Sequence, residues 1–189
     1  MSTPRLLDRE RIIAGPGFNR WLVPPAALAI HLCIGMAYGF SVFWLPLSRA
    51  LGVSASTACL DLTLRTALFT TTCDWRVSDL GWIYTLFFVF LGSSAALWGG
   101  WLERSGPRKA GVVSAICWCG GIIVAAGGVI VHQLWIMWLG AGVLGGIGLG
   151  LGYISPVSTL IKWFPDRRGM ATGMAIMGFG GGAMIGAPL

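Results

Sequence analysis

Gly99-Gly-Trp-Leu-Glu-Arg-Ser-Gly-Pro-Arg-Lys109 is a short basic reversal between two apolar stretches, 78–101 and 110–131. Each stretch matches the ~20 residues that a helix needs to cross ~30 Å of hydrocarbon. Glycines and Pro107 suit a tight turn, and Arg104, Arg108 and Lys109 crowd it with positive charge. Such cations collect on the cytoplasmic side of membrane proteins. The segment therefore predicts two membrane helices joined by a turn that faces the cytoplasm.

Composition agrees with that reading across the whole chain. Apolar residues make up 56% and charged residues only 11%, with a mean hydropathy of +0.77. A soluble domain of this size lacks enough polar surface to cover so much apolar matter. Glycine supplies 29 of 189 residues, which suits membrane helices that approach closely. Long apolar segments without period-two alternation exclude a β-barrel. The fold class is all-α, a polytopic membrane helix bundle. The net charge of +6 does not point to nucleic acid, because the cations flank apolar spans and do not line one soluble face.

Five spans are expected, at about 22–46, 79–101, 110–131, 135–160 and 170–189, within a bundle over 21–189 that follows a polar tail, 1–20. The first apolar run is too long for the h-region of a signal peptide. Arg5, Arg9, Arg11 and Arg20 sit in the tail, Arg104, Arg108 and Lys109 in the first basic turn, and Lys162, Arg167 and Arg168 in a second, 161–169. Arg49, Arg65 and Arg76 are left for the other side, in the long polar connection 47–78. That asymmetry predicts a cytoplasmic N-terminus and a multi-pass protein of the cell inner membrane. Tryptophans mark both interfaces: Trp21, Trp98, Trp101 and Trp163 at inner ends, and Trp44, Trp75, Trp82, Trp135 and Trp138 at outer ends. The last span stops at Leu189 with no polar anchor beyond it, so the chain is expected to be the front part of a longer protein.

Of the five cysteines, Cys33, Cys117 and Cys119 lie in apolar spans as expected packing residues. Cys59 and Cys73 share the long outer connection, where a disulfide and two free thiols are both open.

The pattern Gly99-x-x-x-Glu103-Arg104-x-Gly106-x-Arg108-Lys109 resembles the signature loop between helices two and three of the major facilitator superfamily, with Glu103 where the pattern has Asp. Pro165-Asp166-Arg167-Arg168-Gly169 is similar to that superfamily's link between helices four and five. The run from Gly148 through Tyr153, Ser155, Pro156 and Lys162 to Gly169 looks like the oxalate–formate antiporter family. Gly173, Gly182, Gly186 and Pro188 partly match the glycine-proline pattern of antiporter members, and ordinary close packing explains them equally well. The resemblance implies the first five transmembrane helices of a twelve-helix fold, truncated before helix six. In the family the first loop contacts the opposite half of the transporter and helps set the inward/outward equilibrium.

A substrate site is then expected at mid-depth. His31, Gly35, Tyr38 and Ser41 recur at spacings 4, 3 and 3 on the first span, Tyr84 lies on the second, and Tyr153 follows Gly142, Gly146 and Gly150 on the fourth. Aromatic hydroxyls orient a small carboxylate, yet none of the five spans holds Lys or Arg in its interior. The resemblance places the charge partners in the second half of the transporter. His31 is either a proton relay or a histidine bonded to a neighbouring helix.

No metal cluster, phosphate loop or nucleophile triad is legible, so neither a cofactor nor an enzyme is expected. The expected function is alternating-access transport of small organic anions such as oxalate, formate or related mono- and dicarboxylates. The expected partners are that substrate, the lipid bilayer and the C-terminal half of the same transporter. A non-transporting five-helix assembly or sensory subunit is the alternative.

Overall fold

The structure is a computed structural model that describes Leu7 and residues 13–49 and 63–188. Among these residues the regular structure is helical. Helix α1 spans Arg20–Leu47, α2 spans Val77–Ser105, α3 spans Pro107–Ile130 and α4 spans Leu134–Trp163. All four are long and apolar enough to cross a membrane. Helix α5, Arg168–Gly186, has 19 residues, and its many glycines dilute its hydropathy, which leaves it outside that set of four.

Local chemistry sets where the helices start and reverse. The Asn19 side chain accepts from the Trp21 amide at 3.0 Å, and Pro24 and Pro25 fall in the first turn of regular α-helix, where a missing N–H costs nothing. Gly106 alone separates α2 from α3, at φ 88° and ψ 161°. L side chains rarely adopt that conformation. Pro107 then opens α3 with its φ already preset.

Two long helices depart from α geometry. In α1 the stretch Met36–Phe43 winds as a 3-10 helix, and in α4 the stretch Trp138–Leu144 is a π-helix. Both departures lie in the halves of α1 and α4 remote from the basic turns. Tighter 3-10 winding eclipses residues three apart, so Tyr38 and Ser41 share one line along α1.

Helix α4 is the hub, packed on α2, α3, α1 and α5, while α1 pairs with α5 along most of its length. Glycine makes these approaches possible. A Cβ at Gly146 would meet the Phe87 carbonyl on α2 at 2.6 Å, and one at Gly148 would meet the Trp118 amide on α3 at 2.5 Å. Gly142 and Gly150 also meet α2, so the expected Gly142/Gly146/Gly150 face is the α2 face, and a second face, Gly148 and Gly152, serves α3. On α5, Gly178, Gly182 and Gly186 meet α1, whereas Gly173 faces open space. Gly178, Gly182 and Gly186 are therefore a packing stripe, while Gly169 and Gly180, like Gly173, meet nothing.

Three small buried clusters are stacked along the bundle. Ala27, Leu160, Phe164, Ala171 and Ala175 fill the end near the basic turns. Ile34, Ala37, Phe87 and Leu149 lie midway. Trp75, Leu80, Ile83, Leu134 and Met137 close the opposite end. Trp75 is thus a core residue, 2% exposed, and not the interfacial anchor its position suggests. Its ring stacks on His132 at 4.2 Å and 3°, while His132 Nε2 lies 2.9 Å from the Cys73 carbonyl. His132 adopts φ 51° to reach this position. Cys73 is disulfide-bonded, and Cys59, the other cysteine of the long outer connection, lies outside the described residues. Cys33 and Cys119 are free and exposed, not packed within the bundle as expected.

Candidate functional site

Midway along the bundle, an aromatic group gathers side chains from four helices. Phe179 of α5 lies against Tyr38 of α1, with centroids 4.9 Å apart at 84°, and against Tyr153 of α4 at 5.3 Å and 60°. Tyr38 also meets Phe88 of α2 at 6.0 Å, and Phe88 meets Tyr84 at 5.7 Å. Edge-to-face contacts of this kind add directional attraction to apolar burial. Tyr38 and Phe88 are exposed, so this wall has an open side.

The five residues that the sequence singled out take different places. His31 is fully buried. Its Nε2 lies 3.4 Å from the Tyr153 carbonyl, and its ring is edge-on to Tyr153 at 5.5 Å and to Phe179 at 6.3 Å. It therefore supports the wall from behind and bonds to a neighbouring helix, while its Nδ1 has no hydrogen-bond partner. Tyr84 donates its hydroxyl to the Ala37 carbonyl, bracing α2 against the 3-10 segment of α1. Tyr38 and Tyr153 stand on the wall itself, joined through Phe179. Ser41 is exposed one 3-10 turn beyond Tyr38.

Phe179 was not singled out by sequence reasoning, which saw only glycines in this helix. The available signal was that Phe179 is the one aromatic residue of α5.

A separate groove of about 930 Å³ opens between α1, α3 and α4. Apart from Ser114, Ser155, Thr159 and Arg108, its wall is almost wholly apolar, and none of Tyr38, Tyr84 or Tyr153 reaches it. Specific recognition of a charged solute needs convergent polar groups, and the groove offers few.

The basic segments meet at one end of the bundle. Arg20 donates from both terminal nitrogens to the two carboxylate oxygens of Asp166, each at 3.2 Å, and its guanidinium lies 5.0 Å over the Phe164 ring. Bonding to Arg20 holds the Asp166 carboxyl below the usual carboxylate range. Lys162 reaches Glu103 at 3.2 Å, so the acid of the first basic turn pairs with the second turn. Arg104 donates back to the Gly100 carbonyl of its own helix at 3.2 Å. Arg108 is exposed and Lys109 is half-buried. Pro165, Asp166 and Arg167 form a 3-10 turn before Arg168 opens α5, and Gly169 is exposed. A side chain added at Gly99 or Gly169 would meet nothing, so neither glycine is needed for packing.

The chain resembles several known transporters. An uncharacterized MFS-type transporter of Escherichia coli, YhjX, is 28% identical over 88% of this chain and 35% of its own length. Human monocarboxylate transporter 11 is 29% identical over 93% of this chain and 32% of its own length. The oxalate:formate antiporter of Oxalobacter formigenes is 28% identical over 90% of this chain and 35% of its own length. The chain spans about a third of the length of these relatives. No solved structure matches it. The family profile described as Major Facilitator Superfamily matches residues 28–189. This membrane protein, a bundle of glycine-packed helices with two basic turns at one end, belongs to the Major Facilitator Superfamily.

Proposed function

We propose that the protein carries small organic anions, mono- or dicarboxylates such as oxalate and formate, across the cell inner membrane by alternating access. The carrying observation is the Tyr38–Phe179–Tyr153 wall, which places two aromatic hydroxyl residues from different helices around one ring at mid-depth. Hydroxyl donors orient a carboxylate without adding a charge. A carboxylate in low dielectric still needs a compensating cation, and α1–α5 offer no Lys or Arg at this depth. The proposal takes that cation from a second helical half of the same transporter, across the open side of the wall. Two of the relatives are named for carboxylates, which supports this substrate class.

In this reading the N-terminus and both basic turns face the cytoplasm. The turn from Gly99 through Glu103, Arg104, Gly106, Arg108 and Lys109 forms part of the inner latch, with Lys162–Glu103 joining it to Pro165–Gly169. The bilayer is its solvent, and no nucleic acid takes part. Uptake of labelled oxalate, formate and pyruvate into proteoliposomes carrying the intact gene product tests the reading. Saturable uptake of at least one acid, lowered by Tyr38→Phe and Tyr153→Phe, is expected. Absence of uptake of every carboxylate would overturn it.

A further inference from the structure

Resting on the carboxylate-transport reading above, we infer that Phe179 is the residue that decides how long a carboxylate the site accepts. Phe179 is the side chain that touches Tyr38, Tyr153 and His31 together, with centroids 4.9, 5.3 and 6.3 Å away. These three partners belong to α1 and α4, so one ring on α5 separates the two tyrosines and abuts their buried support.

The backbone beneath that ring has little room to move. Gly35 of α1 sits directly on the Phe179 carbonyl, so close that a single Cβ there would collide with it. One turn on, Gly182 meets the Leu32 carbonyl and Gly35 in the same way. Close-packed helices behave as rigid bodies at such crossings. The backbone that carries the ring is therefore held against α1 at two successive turns, and Phe179 acts as a stop of set depth between the two tyrosines.

Behind it, His31 is fully buried. Truncating Phe179 opens space beside the rings of Tyr38, Tyr153 and His31, which suits the hydrocarbon part of a longer acid. Pockets that discriminate by a methylene typically do so by about 10- to 200-fold. Phe179→Ala should erase discrimination of that order.

The test is competition against uptake of a labelled short acid by the intact gene product in proteoliposomes. Unlabelled competitors are formate, acetate, propionate and butyrate, and the diacids oxalate, malonate and succinate. The wild type is expected to favour the shorter members of its preferred series. Phe179→Ala should raise KM for the short acid and improve the longest over the shortest by roughly 10-fold or more, while kcat for the best longer acid is retained. Phe179→Leu should fall between, and Met177→Ala, exposed on the same helix, should keep the wild-type ranking. An unchanged ranking in Phe179→Ala overturns the inference. So does a uniform loss across all lengths in Phe179→Ala together with unaltered ranking in Phe179→Leu, since that marks a purely structural residue. Failure of the wild type to take up any carboxylate overturns the transport reading itself, and the length assignment with it.

Discussion

Arg20 holds Asp166 with both of its terminal nitrogens at 3.2 Å, tying the first residue of α1 to the turn between α4 and α5. Two parallel N–H···O bonds fix orientation as well as distance, and the guanidinium also covers Phe164, a buried residue of the same end. Because the Asp166 carboxyl sits below its ordinary value, the sign of its pH dependence follows. The contribution is complete above the unfolded carboxylate value of ~3.9 and is lost as pH falls through the lowered folded value. Thermal melts in detergent should show Asp166→Asn less stable than the wild type near neutral pH, with the gap closing toward about pH 3. The gap should also shrink in high salt, since both side chains are exposed. A gap that persists in acid would assign the loss to something other than the ion pair.

The α1–α5 crossing makes a sharper stability prediction. A Cβ at Gly35 or Gly182 has no space, while one at Gly173 meets nothing. Gly35→Ala and Gly182→Ala should each destabilise the folded bundle by about 1–3 kcal/mol through overpacking. Gly173→Ala should be neutral or slightly stabilising, because Ala is the better helix former. Gly35 and Gly182 abut each other, so the double variant should depart from additivity. Thermal midpoints of the four variants in one detergent check all of this, and a Gly173→Ala loss as large as the others would count against the packing account.

The contrast between Gly173 and Gly182 shows what the sequence can and cannot convey. Hydropathy makes the membrane helices legible, and cation placement marks the two basic turns. Helix ends are less legible. Charged residues such as Glu103 and Arg104 end an apolar run near 101, yet the backbone stays helical to Ser105, because a helix can leave hydrocarbon without losing its own hydrogen bonds. Pairings across helices are not periodic at all. Nothing in the spacing of Trp75 and His132 announces a stacked pair, since that contact depends on a left-handed backbone turn at His132. Phe179 escaped for a related reason: a lone aromatic in a glycine-rich helix acquires meaning only once Gly35 shows which way α5 is turned.

Cys73 gives a redox prediction. It is disulfide-bonded, next to Asp74 and Trp75, both buried, and its carbonyl meets His132 at 2.9 Å. Reduction should loosen the segment that carries Trp75 into the cluster with Leu80 and Leu134. Losing such a bond typically costs about 2–5 kcal/mol. Dithiothreitol should therefore lower the melting midpoint of the wild type, and Cys73→Ser should lower it equally and abolish the response. Cys33→Ser and Cys119→Ser, at free exposed thiols, should retain it. An equal response to the reductant in Cys73→Ser would place the effect elsewhere.

Gly106 separates what insertion needs from what motion needs. Insertion depends on the apolar lengths of α2 and α3 and on the cations around the turn, none of which a substitution at Gly106 alters. The turn itself depends on φ 88° and ψ 161°, a region nearly closed to residues with a Cβ and costing such residues about 1–3 kcal/mol. Gly106→Val must therefore either carry that strain or swing Pro107 and the start of α3 away, which shifts Glu103 relative to Lys162 across their 3.2 Å contact. Immunoblots of membrane fractions should show the variant inserted at wild-type amounts. Initial uptake rates of the intact gene product should fall several-fold, and Gly106→Ala should fall between because it carries the same backbone cost with less bulk. Loss of the protein from the membrane would mean that the turn governs insertion after all. Unchanged uptake kinetics in Gly106→Val would remove the turn from the latch.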